Sequence, residues 1–369
     1  MELTLKREER AVFALREIFE SYGYLPYKMS RFEEYELYVR NKDFLISDRV
    51  ITFSDRSGRL LALKPDVTLS IIKNVQDEPG KVLKVFYNEN VYRPSDSDQG
   101  FKEILQSGLE CVGDLSEFDI REVVLLAMRS LAALEHAYLL DISHIGLISS
   151  VMERVGLCGA QKRRAMEYLR TKNSHEMQQL CQNLSQKDAA LLTAFTQVYG
   201  IPEKVFETII PLLETKEEYD FICELRGICD MLSMMGFSEH IRVDFSVGSD
   251  MKYYSGVVFK GYLEGLPFGI LSGGAYDKLL KKMGKGSRAI GFAIYLDLLK
   301  RYEEISERTA VDTLLLYDDS ANPEMLMLTC EALRKQGSVL AAKELPSTCV
   351  WNRLVKYKDG ETVRIETDG

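Results

Sequence analysis

The sequence lacks the histidines and clustered cysteines that a metal site would need. Only four histidines occur among 369 residues, and the seven cysteines are scattered without a CxxC pair. Zinc sites are normally built from closely spaced cysteine and histidine ligands. We therefore expect free, mostly buried thiols in a reducing compartment, and no bound metal or other cofactor.

Long apolar runs and an excess of positive charge are missing as well. No apolar stretch approaches the roughly 18 residues that span a membrane, and the N-terminal MELTLKREERAVF has no apolar signal core. The formal net charge of -9 at pH 7 argues against a nucleic-acid-binding surface, which usually needs a basic face. We expect a cytoplasmic protein that binds neither membranes nor nucleic acid.

The apolar pattern predicts an α+β protein made of antiparallel hairpins and flanking helices. Apolar residues recur at helical spacing from Lys6 to Ser21 and from Phe118 to Leu134, while hairpins are predicted within Arg49–Leu63 and Val82–Val112. A Gln/Lys/Glu-rich stretch without strand alternation indicates an inserted helical subdomain. The predicted organisation is a core at 1–305 with a helical insertion at about 161–238, followed by a small α/β unit at 310–369.

The stretch from Val243 to Asp277 carries the densest set of candidate binding residues. Its pattern predicts a hairpin with Tyr254 on the first strand and Phe268–Leu271 as the return strand. A glycine pair then ends the return strand, where missing side chains let backbone or a ligand come close. These features indicate a small polar ligand lying across a sheet, although an amphipathic hairpin with no ligand explains them equally well.

Five segments, taken in order, resemble the signature motifs of histidyl-tRNA synthetases. The LRPExT segment is matched by LALKPDVTLSIIKNV, and the end of the second class II motif by KEILQSGLECVGD. The two histidine-specific signatures, LDYYxxTVFE and GGGRYD, are matched by DMKYYSGVVF and LSGGAYD, and the third class II motif by AIGFAIYLDLL. The resemblance spans roughly residues 1 to 305. It implies a class II aminoacyl-tRNA synthetase-like antiparallel sheet flanked by helices.

The amino-acid half of the family's pocket is well matched in this sequence. The resemblance implies two acidic positions that pair with an α-ammonium or imidazole N–H, two neutral polar contacts, and aromatic walls with hydroxyl groups. The implied histidine-binding residues are Asp66, Glu110, Thr68, Gln106, Tyr253, Tyr254 and Tyr276. The glycine pair Gly273 and Gly274 is implied to let the backbone approach the same ligand.

The cations that the family uses for adenylate formation are not matched. The three arginine positions correspond to Asn90, Ser249 and Leu298. Arg93 does not replace the first of them in this interpretation, because an odd offset along a strand puts it on the opposite face. Loss of one donor to the developing charge typically costs about 10²–10³ in rate. We therefore expect a protein without synthetase activity.

A histidine-binding shell without ATP machinery resembles the regulatory subunits of short-form ATP phosphoribosyltransferases. The phrases DFSVGSDMKYYSG and ILSGGAYD are closer to that family than to true synthetases. The resemblance implies a non-catalytic subunit of histidine biosynthesis that assembles with the catalytic subunit as a homodimer within a hetero-octamer. Histidine would be its feedback effector. Residues 310–369 resemble a shortened anticodon-binding domain, kept for assembly.

Two other functions remain open at this stage. The chain could be a divergent histidyl-tRNA synthetase or adenylating paralogue, which would show histidine-dependent exchange of ATP and pyrophosphate. It could instead sense uncharged tRNA, with affinity that falls steeply with salt. The sequence does not identify the surface for the catalytic subunit, for which 161–238 and 93–100 are both candidates. Nor does it decide between a histidine site in the synthetase-like pocket and one at a subunit junction.

Overall fold

The computed structural model describes residues 6–45, 49–95, 100–134, 136–248, 254–302, 309–346, 349–358 and 361–365. It divides into two compact units, Met1–Leu299 and Lys300–Gly369. Within the described ranges, no helix is both long and apolar enough to cross a membrane.

The larger unit alternates helices with mostly short strands. In chain order its elements are α1 (Arg7–Ser21), β1 (Leu25–Pro26), β2 (Phe32–Glu34), α2 (Tyr35–Arg40), β3 (Thr52–Ser54), β4 (Leu60–Leu63), α3 (Thr68–Ile72), β5 (Val82–Pro94), β6 (Phe101–Gly113), α4 (Glu117–Ala132), β7 (Tyr138–His144), α5 (Ile145–Arg154), α6 (Gly159–Arg170), α7 (Ser174–Leu180), α8 (Gln186–Gln197), β8 (Tyr199–Gly200), α9 (Pro202–Ile209), α10 (Lys216–Met234), β9 (Ile241–Asp244), β10 (Val257–Leu263), β11 (Leu271–Ala275), α11 (Asp277–Lys282) and β12 (Arg288–Tyr295). A 3₁₀ helix, Leu296–Tyr302, follows β12.

A sheet of nine described strands forms the centre of this unit, in the order β1-β5-β6-β12-β11-β10-β7-β9-β8. Its middle strands pair antiparallel, and the 13-residue strands β5 and β6 form its longest hairpin. A second sheet has the order β2-β4-β3. The large sheet with flanking helices confirms the fold class predicted from the sequence, and it is antiparallel except at the parallel pairs β1–β5 and β7–β9.

Strand alternation gives the main sheet two different faces. On one face an aromatic group, Phe86, Phe259 and Phe292, packs with Phe19 of α1. Helix α4 covers the same face, and Gly261 lets its Leu131 come within 2.7 Å of where a Cβ would stand. The alternate residues of β5, β6 and β12 therefore point to the opposite face, where the polar side chains of the sheet collect.

The central hairpin differs in detail from the sequence prediction. The return strand β11 runs Leu271–Ala275, later than the predicted Phe268–Leu271. Gly273 and Gly274 consequently lie inside the strand and do not end it. Strand β5 continues to Pro94, so that Arg93 is paired with Lys102 in the ladder of the β5–β6 hairpin.

The predicted helical stretch 161–238 contains α7 to α10 and nearly all of α6, together with the two-residue strand β8 at the sheet edge. Arg154, at the end of α5, connects several of these elements. Its guanidinium is paired with Asp188 of α8, and it donates to Glu218 (2.6 Å) and Glu214 (3.1 Å). The Glu218 side chain is completely buried and also accepts the backbone N–H of Glu214 and Thr215. This arginine is thus the counter-ion of a carboxylate that water does not reach.

The smaller unit is a four-stranded sheet with one helix packed on it in the described ranges. Its elements are β13 (Thr309–Leu316), α12 (Pro323–Arg334), β14 (Val339–Ala342), β15 (Cys349–Lys358) and β16 (Glu361–Ile365), with sheet order β14-β13-β15-β16. Cys330 and Leu333 of α12 pack with Leu315, Val355 and Tyr357. Strand β13 pairs parallel with both neighbours, as the strand–helix–strand pattern of the sequence predicts.

Replacement of Arg154 by methionine should lower the free energy of unfolding by about 3 kcal/mol, because Glu218 would lose its cation while remaining buried. Equilibrium urea unfolding measures the change. Arg16→Met is the matched control, since Arg16 forms an exposed pair with Glu20 that should contribute less than about 1 kcal/mol. Equal effects of the two substitutions would contradict the assigned role of Arg154.

Candidate functional site

A cavity of about 190 Å³ opens on the polar face of the sheet. It is far larger than the ~10–15 Å³ that one water molecule requires. Six of the seven histidine-binding residues predicted from the sequence line it: Asp66, Thr68, Gln106, Glu110, Tyr254 and Tyr276. The seventh, Tyr253, lies outside the described residues. The structure thus brings together positions that are separated by up to 210 residues in sequence.

Glu110 of β6 is the buried centre of the cavity, with 2% of its surface exposed. The Thr68 hydroxyl donates to its Oε1 (2.6 Å) and the Tyr276 hydroxyl to its Oε2. Burial raises the pKa of the Glu110 carboxyl to about 8, and the two hydrogen bonds oppose that rise. A carboxyl group in this state can exchange a proton, or accept an N–H, near neutral pH.

Asp66 is the second acid of the cavity and fixes the start of α3. Its Oδ1 accepts the backbone N–H of Leu69 (2.9 Å). The Thr68 hydroxyl does not cap this helix, because it is turned toward Glu110. Burial raises the pKa of Asp66, and the positive charge of Arg93 works in the opposite direction.

An amide donor and several aromatic residues complete the walls. Gln106 is 2% exposed, and its Nε2 has no hydrogen-bond partner among the described residues. An unmet buried donor is costly, which favours a ligand acceptor at this point. Tyr254 is hydrogen-bonded to Ser272, and burial raises the pKa of the Tyr254 hydroxyl. Tyr254 and Ser272 both line the cavity.

The glycine pair packs tightly against neighbouring strands, and its approach to a ligand stays a prediction. Gly273 and Gly274 are not among the residues that line this cavity. A Cβ at Gly273 would lie within 2.6 Å of Phe259 and Gly291, and one at Gly274 within 2.8 Å of Tyr254. The missing side chains therefore allow close packing of neighbouring strands.

Three further residues that line the cavity were not predicted from the sequence: Tyr87, Gly291 and Tyr295. A Cβ on Gly291 would overlap Glu110 Oε2 and lie 2.5 Å from the Leu109 carbonyl oxygen. The signal for this residue was a lone glycine in the apolar strand AIGFAIY, which commonly marks close approach of another group. The tyrosines gave no comparable signal.

Of the positions matched to the family's arginines, neither Asn90 nor Leu298 lines the cavity. Asn90 lies on the other face of the hairpin, where its amide donates to Glu103 (2.6 Å). Leu298 is in the 3₁₀ helix after β12 and brings no charge. Ser249 lies outside the described residues. The interpretation of Arg93 was wrong in one respect: it is indeed on the face opposite Asn90, but that face is the one that forms the cavity.

No cysteine is among the described residues that line this cavity. All seven cysteines are free, and five of them are buried. In the ranges that the structure describes, no group of three or more His, Cys, Asp or Glu side chains could hold a metal ion.

Comparison with known proteins identifies relatives over most of the chain. The family model for histidyl-tRNA synthetase matches residues 2–299. The ATP phosphoribosyltransferase regulatory subunit of Caldanaerobacter subterraneus subsp. tengcongensis is 31% identical over 290 residues, which cover 76% of this chain and 75% of the relative. The corresponding protein of Acetivibrio thermocellus is 27% identical over 335 residues, covering 88% and 79%.

Solved structures show the same fold at lower identity. An ATP phosphoribosyltransferase regulatory subunit/histidyl-tRNA synthetase from Bacillus halodurans C superimposes with a TM-score of 0.76 at 24% identity, over 95% of this chain and 93% of that one. A chain of the ATP phosphoribosyl transferase (HisG:HisZ) complex from Thermotoga maritima gives 0.62 at 20% identity, over 78% and 97%. Histidyl-tRNA synthetase from Nostoc sp. PCC 7120 gives 0.70 at 15% identity, over 97% and 93%.

Gly291→Ala should destabilise the larger unit by about 1–3 kcal/mol, because the new methyl group overlaps the Glu110 carboxylate. Gly286→Ala is the matched control, since nothing lies within 4 Å of a Cβ at that position. Urea unfolding of both variants measures the difference. An unchanged midpoint for Gly291→Ala would show that Glu110 moves away freely.

Glu110→Gln should change the pH dependence of stability. The folded pKa of Glu110, about 8, lies above its ordinary value of 4.5, so the folded state binds more protons between these values and loses stability as pH rises through them. The variant lacks this loss and should therefore gain stability relative to the parent chain from about pH 5 to about pH 9. Unfolding free energies measured across that range test this. Parallel pH profiles for the two chains would refute the raised pKa.

Proposed function

The chain belongs to the histidyl-tRNA synthetase family and, within it, to the ATP phosphoribosyltransferase regulatory subunits, and from this premise we propose that it binds histidine as a non-catalytic subunit. In this proposal it assembles in the cytoplasm with a short-form catalytic subunit in histidine biosynthesis. It activates that partner and makes it sensitive to histidine. The observation that carries the proposal is the cavity around Glu110, which keeps an amino-acid-sized site on a synthetase-like sheet.

The chemistry of the cavity supports histidine as the ligand. Histidine offers N–H groups at both its α-ammonium and its imidazole, and Asp66 and Glu110 offer two acceptors within one enclosed space. Hydroxyl groups of Thr68 and Tyr276 already hold Glu110 in place. Tyr254 adds an aromatic wall against which an imidazole ring can pack. A small apolar amino acid would leave one of these acids without a partner.

The absence of synthetase activity is supported by the residues at the family's arginine positions. Adenylate formation develops negative charge at a phosphoryl group and depends on fixed cations around it. Asn90 faces away from the cavity and Leu298 carries no charge. With Ser249 at the third position, the sequence keeps none of the three cations.

Regulation would operate as a coupling free energy between the histidine site and the catalytic subunit. Histidine would favour one arrangement of the complex, and the activity of the partner would report the shift. A homodimer of this chain within a hetero-octamer would supply equivalent surfaces for the catalytic subunits. The ATP phosphoribosyl transferase (HisG:HisZ) complex from Thermotoga maritima, one chain of which has this fold, supports assembly with a catalytic subunit.

Formation of phosphoribosyl-ATP by the short catalytic subunit of the same organism tests the proposal. We expect activity only when this chain is added, and a fall in activity as histidine is titrated. Glu110→Gln should raise the histidine concentration for half-inhibition at least about tenfold, because a glutamine amide cannot give up a proton to pair with a cationic N–H of the ligand, as the Glu110 carboxyl can.

The control for that experiment is Glu103→Gln. Glu103 lies on the same strand but on the opposite face, where it accepts from Asn90 and from the Tyr92 hydroxyl (2.9 Å). It should leave the histidine response unchanged. The regulatory function would be refuted if the activity of the catalytic subunit does not change when this chain is added. Histidine-dependent exchange of ATP and pyrophosphate, or salt-sensitive binding of tRNA, would then support the adenylating or the tRNA-sensing function.

A further inference from the structure

Arg93 is a cation that lines the cavity, and its contacts fix the position of its guanidinium. Its Nε donates to the Pro65 carbonyl oxygen (2.9 Å), next to Asp66 in the chain. Its guanidinium lies 6.0 Å from the centre of the Tyr295 ring. The charge of Arg93 also acts on the pKa of both Asp66 and Tyr87. These contacts locate the guanidinium among three elements of the cavity wall.

Most of the hydrogen-bonding capacity of Arg93 is unused. A guanidinium carries five N–H donors in a planar fork. Apart from the bond to Pro65, Arg93 forms no hydrogen bond or ion pair with the part of the chain that the structure describes. In the same cavity the buried Nε2 of Gln106 also lacks an acceptor among the described residues. The two unsatisfied donor groups therefore line one cavity with two acids, Asp66 and Glu110.

We propose that Arg93 binds the α-carboxylate of the ligand, with the Gln106 amide as a second donor, and so restricts the site to amino acids with a free carboxylate. This inference rests on the proposed histidine site and adds its selectivity. A planar guanidinium binds a carboxylate through two parallel hydrogen bonds, which no acid in the cavity can replace. Asp66 and Glu110 are left for the N–H groups of the ligand.

The consequence is discrimination between histidine and its carboxyl derivatives. Esterification removes the negative charge that Arg93 would pair with, and decarboxylation removes the whole group. Decarboxylation leaves the Arg93 donors unpaired, and the ester offers them a neutral carbonyl oxygen in place of a carboxylate, while the contacts of Asp66 and Glu110 are kept in both cases. A site of this kind binds free histidine and discriminates against carboxyl-activated or decarboxylated forms of histidine.

Calorimetric titration of the full-length chain with L-histidine, L-histidine methyl ester and histamine tests the inference. The parent chain should bind histidine about tenfold or more tightly than either derivative, since a charged hydrogen-bonded pair is at stake. Arg93→Met should weaken histidine binding to the level of the ester and leave the ester affinity nearly unchanged. Arg93→Lys, which keeps the charge without the fork, should retain part of the selectivity.

Lys102→Met is the matched control, because Lys102 pairs with Arg93 across the hairpin but is exposed and does not line the cavity. It should keep the parent preference for histidine. Binding of the ester by Arg93→Met shows that this variant is folded. If Arg93→Met does not fold, the ratio of histidine affinity to ester affinity in Arg93→Lys tests the assignment instead.

Two results would overturn the assignment of Arg93 while leaving the histidine site intact. One is equal affinity of the parent chain for histidine and its methyl ester. The other is an unchanged histidine preference in Arg93→Met. A parent chain that binds none of the three compounds would instead refute the proposed histidine site, and the assignment of Arg93 with it.

Discussion

The hydrogen bonds to the buried Glu110 carboxylate are the constraint on which the site depends. A desolvated carboxylate has to be hydrogen-bonded, and here its donors come from the start of α3 and from the residue before α11. Leu69 and Ile72 of α3 pack with Leu279 and Leu280 of α11 in one apolar cluster. The apolar packing and the polar contacts thus hold the same two helices against the sheet, so that the cavity walls are set before any ligand arrives.

The cavity combines features that do not favour stability by themselves. Two acids share an enclosed space, and burial raises the pKa of both Asp66 and Glu110. One guanidinium and one unpaired amide donor complete the set. Such an arrangement costs free energy in the empty protein and recovers it only when a ligand carries complementary groups. This is the physical reason for regarding the cavity as a site and not as a packing defect.

Much of the fold and six of the described residues that line the cavity could be predicted from the sequence, and the failures have definite causes. Motifs that identify residue types at fixed spacing located Glu110 and Tyr276. Alternation showed correctly that Asn90 and Arg93 face opposite ways, but it could not show which of them lines the cavity. That depends on the pairing of Glu89 with Gln106 across the hairpin, which is a non-local contact. The role of Gly291 likewise depends on its register opposite Glu110.

The long hairpin of β5 and β6 has a consequence for how the chain tolerates insertions and deletions. Residues added between Pro94 and Phe101, in the connection of the two strands, leave the ladder in register and keep Arg93 opposite Lys102. A single deletion within β5 would exchange the two faces of every residue on one side of it. Loss of one residue would then turn Arg93 away from the cavity and Asn90 or Tyr92 toward it. The effect on the cavity lining would equal that of several substitutions. Length variation is therefore compatible with the site at the tip of this hairpin and incompatible with it along the strands.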